Sequence, residues 1–449
     1  MTKSVKKVVC DIFAIVTGAL LMGFLWRVRG ESGWGSSWGL LNAGFVFTMY
    51  IMAVKGERKK MDIGWLSLTA LSFMLTVPAW GTLLSQITGV LQKADPAVPG
   101  SEPVYVSVAS AVILMLCLGF GVATLFGVML GRGFSDKQWK VKDFIIVIAV
   151  FFISGAIANA SLSHWILDLI QPQAAELFEK GLAAASVEGD AYSVYMQHFN
   201  NISWAKKFDG GRNYFSAVQT ISSAIRAICS LIAVRFIVKD KVSAKTGAVV
   251  SAAFAFSITV SDLFFYFGSG GYHMENPSPF PESVYPWGCW EYFTGFFAGA
   301  IITAFLLKLR KTEDVIEPAF AKVPAKAENI LTFVLFSVFM VGVNIVRPVL
   351  VRYEDSDTII IATAIAVVAA IAAVVFMNVK WGFNMQKISR RGLYGILFTA
   401  FMIYIMIIYM FVGIPEKQNY TDLFSLQTVM CIVSVAVTFV WSALHVRAK

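Results

Sequence analysis

The sequence predicts an all-α protein: a polytopic integral membrane bundle of about twelve transmembrane helices, with both the N- and C-termini cytoplasmic. Three observations predict it. Of 449 residues, 57% are hydrophobic and only 14% are charged, against about a quarter charged in ordinary soluble domains. Apolar stretches of roughly 17 to 25 residues, long enough to cross the hydrocarbon core of a bilayer, recur from end to end. Lysine and arginine gather on alternate connections between those stretches, as the positive-inside rule requires.

In chain order the spans fall near 8–26, 39–55, 64–90, 104–131, 143–170, 214–238, 246–267, 289–308, 328–350, 358–377, 393–413 and 425–445. The first follows a basic MTKSVKK but runs into Trp26-Arg27 rather than a small-residue cleavage site, so it reads as a span and not as a removable signal peptide. With the N-terminus inside, each cytoplasmic connection is basic: Lys55/Arg58/Lys59/Lys60, Arg132/Lys137/Lys140/Lys142, Lys239/Lys241/Lys245, Lys308/Arg310/Lys311 and Lys387/Arg390/Arg391. The net charge of +9 is therefore explained by topology, and nucleic acid is not an expected partner. The expected partner is the lipid bilayer, and the expected location is the cell membrane.

Three outer connections are richer than turns: 27–39, 171–213 and 268–288. The second contains AAELFEKGLAAAS, which reads as a surface helix, and the third, GSGGYHMENPSPFPESVYPWGCW, carries too many prolines and glycines for regular structure. An internal repeat is suggested by WGSSWGLLNAGFVFTMYIMAVKGERKK at 34–60 and WGCWEYFTGFFAGAIITAFLLKLRKTED at 287–314, which open spans two and eight. It would divide the chain into six-helix halves, 1–240 and 241–449, related by an axis along the membrane normal. An interfacial tryptophan belt followed by an apolar span and a basic end gives the same pattern without a repeat.

The residues that could carry chemistry lie toward the outer side. Arg27 and Arg29 stand there against the topology rule, flanking Glu31, with Trp34 and Trp38 close by in WRVRGESGWGSSWG. Guanidinium forks bind carboxylates and phosphates in two-pronged fashion, and tryptophan faces stack on rings; the bland alternative is an aromatic belt with snorkelling arginines. Arg226, mid-span, and Asp262, in the outer half of the next span, are buried charges that each need a partner or a water-filled cavity, because an isolated charge at the bilayer centre costs about 2.5–3.5 kcal/mol on insertion scales. The two are expected to pair, either as a structural ion pair or as a coupling site. Glu291, His273, Glu275 and Arg347 form a third set at the outer ends of spans seven to nine, and His164 lies at the same level near the end of span five.

Four histidines without HxH or HExxH spacing and five scattered cysteines point to no metal site and no disulfide framework. No GxxxxGK[ST] or GxSxG is present, so neither an ATP-driven motor nor a nucleophile elbow is indicated, and no cofactor is implied. Two functions remain. One is a secondary carrier for a small anionic or ring-bearing solute, with Arg27, Arg29, Glu31, Trp34, Trp38, Arg226, Asp262, His273, Glu275, Glu291 and Arg347 as the binding set. The other is an outer-leaflet transferase acting on a lipid-linked or envelope substrate, with Glu31, Glu291 or His273 as acid or base and Arg27/Arg29 on phosphate.

Overall fold

The computed structural model describes residues 3–29, 35–55, 63–76, 83–95, 101–281, 284–309, 402 and 426–446. The expected spans 328–350, 358–377 and 393–413 lie outside them, apart from Met402. What is described is mostly helical. Among the described residues, six helical segments are long and apolar enough to cross a membrane: Val5–Val28, Val108–Arg132, Val141–Ala160, Gly211–Ile237, Lys241–Met274 and Pro286–Leu309. The helices are α1 (Lys3–Val28), α2 (Gly35–Lys55), α3 (Ile63–Met74), α4 (Val108–Val122), α5 (Thr124–Arg132), α6 (Val141–Ala160), α7 (Leu162–Ile170), α8 (Gln173–Ala184), α9 (Ala191–Gln197), α10 (Ile202–Ala205), α11 (Gly211–Ile232), α12 (Lys241–Ser261), α13 (Leu263–Gly268), α14 (Pro286–Leu309) and α15 (Leu426–Val446).

Several of these helices turn apolar side chains outward. On α6, Val141, Ile145, Ile148, Phe152 and Ile157 recur at helical spacing and are exposed, while Val147, Phe151, Gly155 and Ala158 on the other side are buried. A soluble protein would hide such a stripe; a helix facing lipid displays it. Val5, Val8, Ile12 and Val16 on α1 and Val429, Val433 and Val440 on α15 are likewise exposed.

The chain divides into two compact units. The first comprises residues 1–75, 129–138 and 291–449, and the second 76–128 and 139–290. In the first, α1 packs against α2 and α15, and α2 against α3. Tyr50 on α2 donates its hydroxyl to the Ala14 carbonyl of α1 and sets its ring against Trp441 of α15, with centroids 5.2 Å apart. Tyr292 on α14 and Ser434 on α15 share a 2.7 Å hydrogen bond. In the second unit α4 lies against both α11 and α12, and α11 against α6.

Helices break where a continuous span is expected. Among the described residues of the stretch 64–90, α3 ends at Met74, and a 3₁₀ turn, Gln86–Thr88, and a short strand β1 (Val90–Gln92) paired antiparallel with β2 (Val104–Tyr105) lie beyond it; residues 77–82 lie outside the described residues. Ser85 at φ 71° and Gly89 at φ 82° bracket that turn in the left-handed region, which a right-handed helix cannot accommodate. Span 143–170 breaks at Ser161, whose hydroxyl donates back to the Ile157 carbonyl at 2.8 Å. The connection 171–213 holds the expected surface helix as α8, joined by α9 and α10. The connection 268–288 has one 3₁₀ turn, Tyr272–Met274, as its regular structure among the described residues before α14 begins at Pro286.

Candidate functional site

The first unit gathers three of the charged residues singled out in the sequence. Their meeting follows from how α1 and α14 pack. Gly295-Phe-Phe-Ala-Gly299 places two glycines one turn apart on one face of α14, a spacing that lets helix backbones approach. A side chain at Gly295 would strike the Met22 carbonyl and come within 2.6 Å of Trp26 Cβ; one at Gly299 would strike the Gly18 carbonyl and come within 2.6 Å of Met22 Cβ. The pairing runs antiparallel: Gly18 meets Gly299, Met22 meets Gly295, and the next step along the seam brings Arg27 to Glu291.

There Arg27 Nη1 donates to Glu291 Oε2 at 2.8 Å, and Arg29 Nη2 approaches Glu291 Oε1 at 3.9 Å, inside ion-pair range but beyond hydrogen-bond length. The Arg29 guanidinium also lies over the Trp26 ring, 4.4 Å from its centroid. Arg27, Arg29 and Glu291 are only 2%, 4% and 5% exposed. Helix α1 ends at this point, with the Arg29 amide bonded to the Leu25 carbonyl at 3.1 Å. Burying one carboxylate between two guanidiniums is tolerable because each charge offsets the desolvation of the other.

Glu31, Trp34 and Arg347 lie outside the described residues, and Trp38 falls in the first turns of α2. The remaining candidates belong to the second unit. The Arg226–Asp262 pair expected from adjacent spans is not formed. Arg226 is on the face of α11 that meets α6: its Nη2 donates to Ser223 Oγ at 3.1 Å, its guanidinium sits 4.5 Å from the Phe151 centroid, and its stem passes Gly155. Asp262 stands instead where α12 gives way to α13, and its Oδ1 accepts from the Ser85 amide at 3.3 Å. The two charges therefore leave different faces of their helices.

His273 stacks on Tyr272 and Tyr105, with centroids 3.8 and 4.0 Å away, and its Nδ1 is 3.9 Å from Glu275 Oε1, a carboxylate on a largely exposed side chain. His164 is a buried structural histidine. Its Nε2 faces the Asn159 carbonyl at 2.8 Å, which only an N–H can do, so Nδ1 accepts from the Tyr214 hydroxyl, also at 2.8 Å. Burial lowers the His164 pKa and favours this neutral tautomer, against the Asn159 carbonyl and Asp168, which act the other way.

One polar cluster had no place in the sequence reading. Gln171 Nε2 donates to Gln86 Oε1 at 3.1 Å and to Ser110 Oγ at 3.3 Å, all three residues buried. Gln86 falls within the expected span 64–90, yet Ser-Gln-Ile-Thr-Gly at 85–89 carries turn-forming residues that are the local signal for the break.

No family model, curated protein or solved structure matches the chain.

Proposed function

We propose that this protein is a multi-pass carrier of the cell membrane, with about twelve spans, and that it binds a small anionic or ring-bearing solute at Arg27, Arg29 and Glu291. One observation carries the reading: two guanidiniums and a carboxylate are gathered, almost wholly buried, between two helices apolar enough to cross a membrane. Ionisable groups inside transmembrane segments mark substrate and ion pathways. Here Glu291 holds the guanidiniums in place as an internal counter-ion. An incoming carboxylate or phosphate exchanges with it by taking over the arginine hydrogen bonds, and Trp26 beneath Arg29 offers an aromatic face beside the anion.

With the positive-inside orientation, the cluster lies toward the extracytoplasmic end of spans one and eight. Glu31, Trp34, Trp38 and Arg347 remain in the proposed binding set as residues expected from the sequence, while Arg226, Asp262, His273 and Glu275 belong to the second unit and are not part of this cluster.

The test is uptake into proteoliposomes holding the full-length protein, with a panel of labelled carboxylates, sugar phosphates and nucleosides. Saturable uptake by the wild type, lost in Arg27→Met and in Arg29→Gln, is the expected result. No uptake of any solute, together with turnover of a lipid-linked phosphate donor in the same vesicles, would replace the carrier with the transferase.

A further inference from the structure

The second unit contains a buried carboxylate that the anion site does not use. Asp262 is 0% exposed and lies within the apolar segment Lys241–Met274. It stands between α12 and α13: its amide closes the end of α12 on the Ile258 carbonyl at 3.1 Å, and its own carbonyl receives the Phe265 amide at 2.9 Å. Oδ1 accepts from the Ser85 amide at 3.3 Å, and Oδ2 has no hydrogen-bond partner among the described residues. Beside it the Ser261 hydroxyl is also buried and without a partner among them.

The ionisable groups on the surrounding elements do not neutralise this charge. Arg226, on α11, is engaged with Ser223 and Phe151, and Tyr214 is bonded to His164. Arg212 at the start of α11, Cys117 on α4 and Tyr266 on α13 make no hydrogen bond or ion pair with Asp262, and the 3₁₀ turn Gln86–Thr88 contributes no ionisable side chain. His273 packs beyond that turn, against Gly89, and its partner is Glu275. A carboxylate with a single long amide bond in an apolar span is too poorly compensated to persist as an anion without a cation of its own.

We infer that Asp262 is a proton-binding site, taking a proton from water to become a neutral carboxyl group and returning it when the site opens. The helix break supports the assignment. The left-handed residues Ser85 and Gly89 hold irregular backbone against the α12–α13 junction, and non-helical backbone at membrane depth is tolerated where it is enclosed by protein or lines a polar cavity. Gln86, on the same turn, takes part in a buried polar cluster with Ser110 and Gln171. This inference stands apart from the carrier reading, and its test uses no solute, so either can fail alone.

The experiment is a pH-jump infrared difference spectrum of the full-length reconstituted protein, wild type beside Asp262→Asn. The wild type should show the carbonyl stretch of a buried protonated carboxyl group, disappearing at alkaline pH, and Asp262→Asn should lack that band. Identical spectra from the two proteins would overturn the proposal. Should the variant fail to fold, dicyclohexylcarbodiimide labelling of the wild type decides: an adduct at Asp262 whose yield falls roughly tenfold per pH unit on the alkaline side is expected. An Asp262 peptide unmodified at every pH would contradict proton binding.

Discussion

Arg27 and Glu291 meet through a 2.8 Å hydrogen bond between side chains that are both almost completely buried, although 264 residues separate them in the chain. Helix α14 returns antiparallel along α1, and the glycine seam at 295 and 299 brings the two backbones close enough for the charges to touch. Removing one partner leaves the other buried with less compensation. Glu291→Leu and Arg27→Met should each lower stability by about 3–5 kcal/mol, while the two combined should lose less than either single change. Thermal unfolding in detergent, run as a double-mutant cycle, measures this directly.

The seam itself is the second target. Gly295→Ala places a methyl group against the Met22 carbonyl and the Trp26 side chain, and should cost roughly 1–3 kcal/mol. Gly295→Val should cost more and also shift the tryptophan emission, because Trp26 lies at the contact. A Gly295→Val protein as stable as the wild type would show that α1 and α14 do not pack as described.

His164 predicts a pH dependence. Its folded-state pKa lies below that of an ordinary imidazole, chiefly through burial, so the unfolded chain binds the extra proton first. Its contribution to stability is complete above the unfolded pKa and is lost as pH falls through the lower folded value. The unfolding midpoint should therefore drop on acidification from about pH 8 to about pH 5. His164→Leu should be less stable at the upper pH, since it removes both bonds to Tyr214 and Asn159, and should show a shallower pH slope.

Asp240 caps α12. Its carboxylate accepts from the Ser243 amide at 2.9 Å, the Ser243 hydroxyl at 2.7 Å and Trp139 Nε1 at 2.7 Å, in a setting where Asp240 is 1% exposed. Asp240→Ala removes the cap and strands the indole N–H, for a combined loss of roughly 2–4 kcal/mol. Trp139→Phe in the wild-type background should cost less, because Ser243 still satisfies the carboxylate. Chemical or thermal unfolding of the two variants side by side checks the order.

The sequence carried the helical class well, because span length and hydropathy are local properties, and α1, α2, α11, α14 and α15 begin or end within a few residues of the expected spans. It also singled out Arg27, Arg29 and Glu291, since charges at the rim of apolar helices stand out by type alone. It failed on direction. Arg226 and Asp262 occupy adjacent spans, yet a helix rotates about 100° per residue, so adjacency in the chain does not decide which face a side chain leaves from. The break at 85–89 was masked by the apolar residues on either side of it, and the Gln171–Gln86–Ser110 cluster depends on that break. Glu31, Trp34 and Arg347 fall outside the described residues, so their expected place beside Arg29 is part of the proposal.

The most direct test of the central claim is thermal stability of the purified protein against a panel of anionic metabolites, sugars and lipid-linked phosphates, wild type beside Arg29→Ala. A ligand present at about 100 times its dissociation constant stabilises the native state by about 2.7 kcal/mol, a readily measured rise in the unfolding midpoint. The account predicts that a soluble anion raises the wild-type midpoint and leaves that of Arg29→Ala unchanged. An equal response from both proteins to every anion, or none from either, would contradict it and reduce Arg27, Arg29 and Glu291 to a brace between α1 and α14.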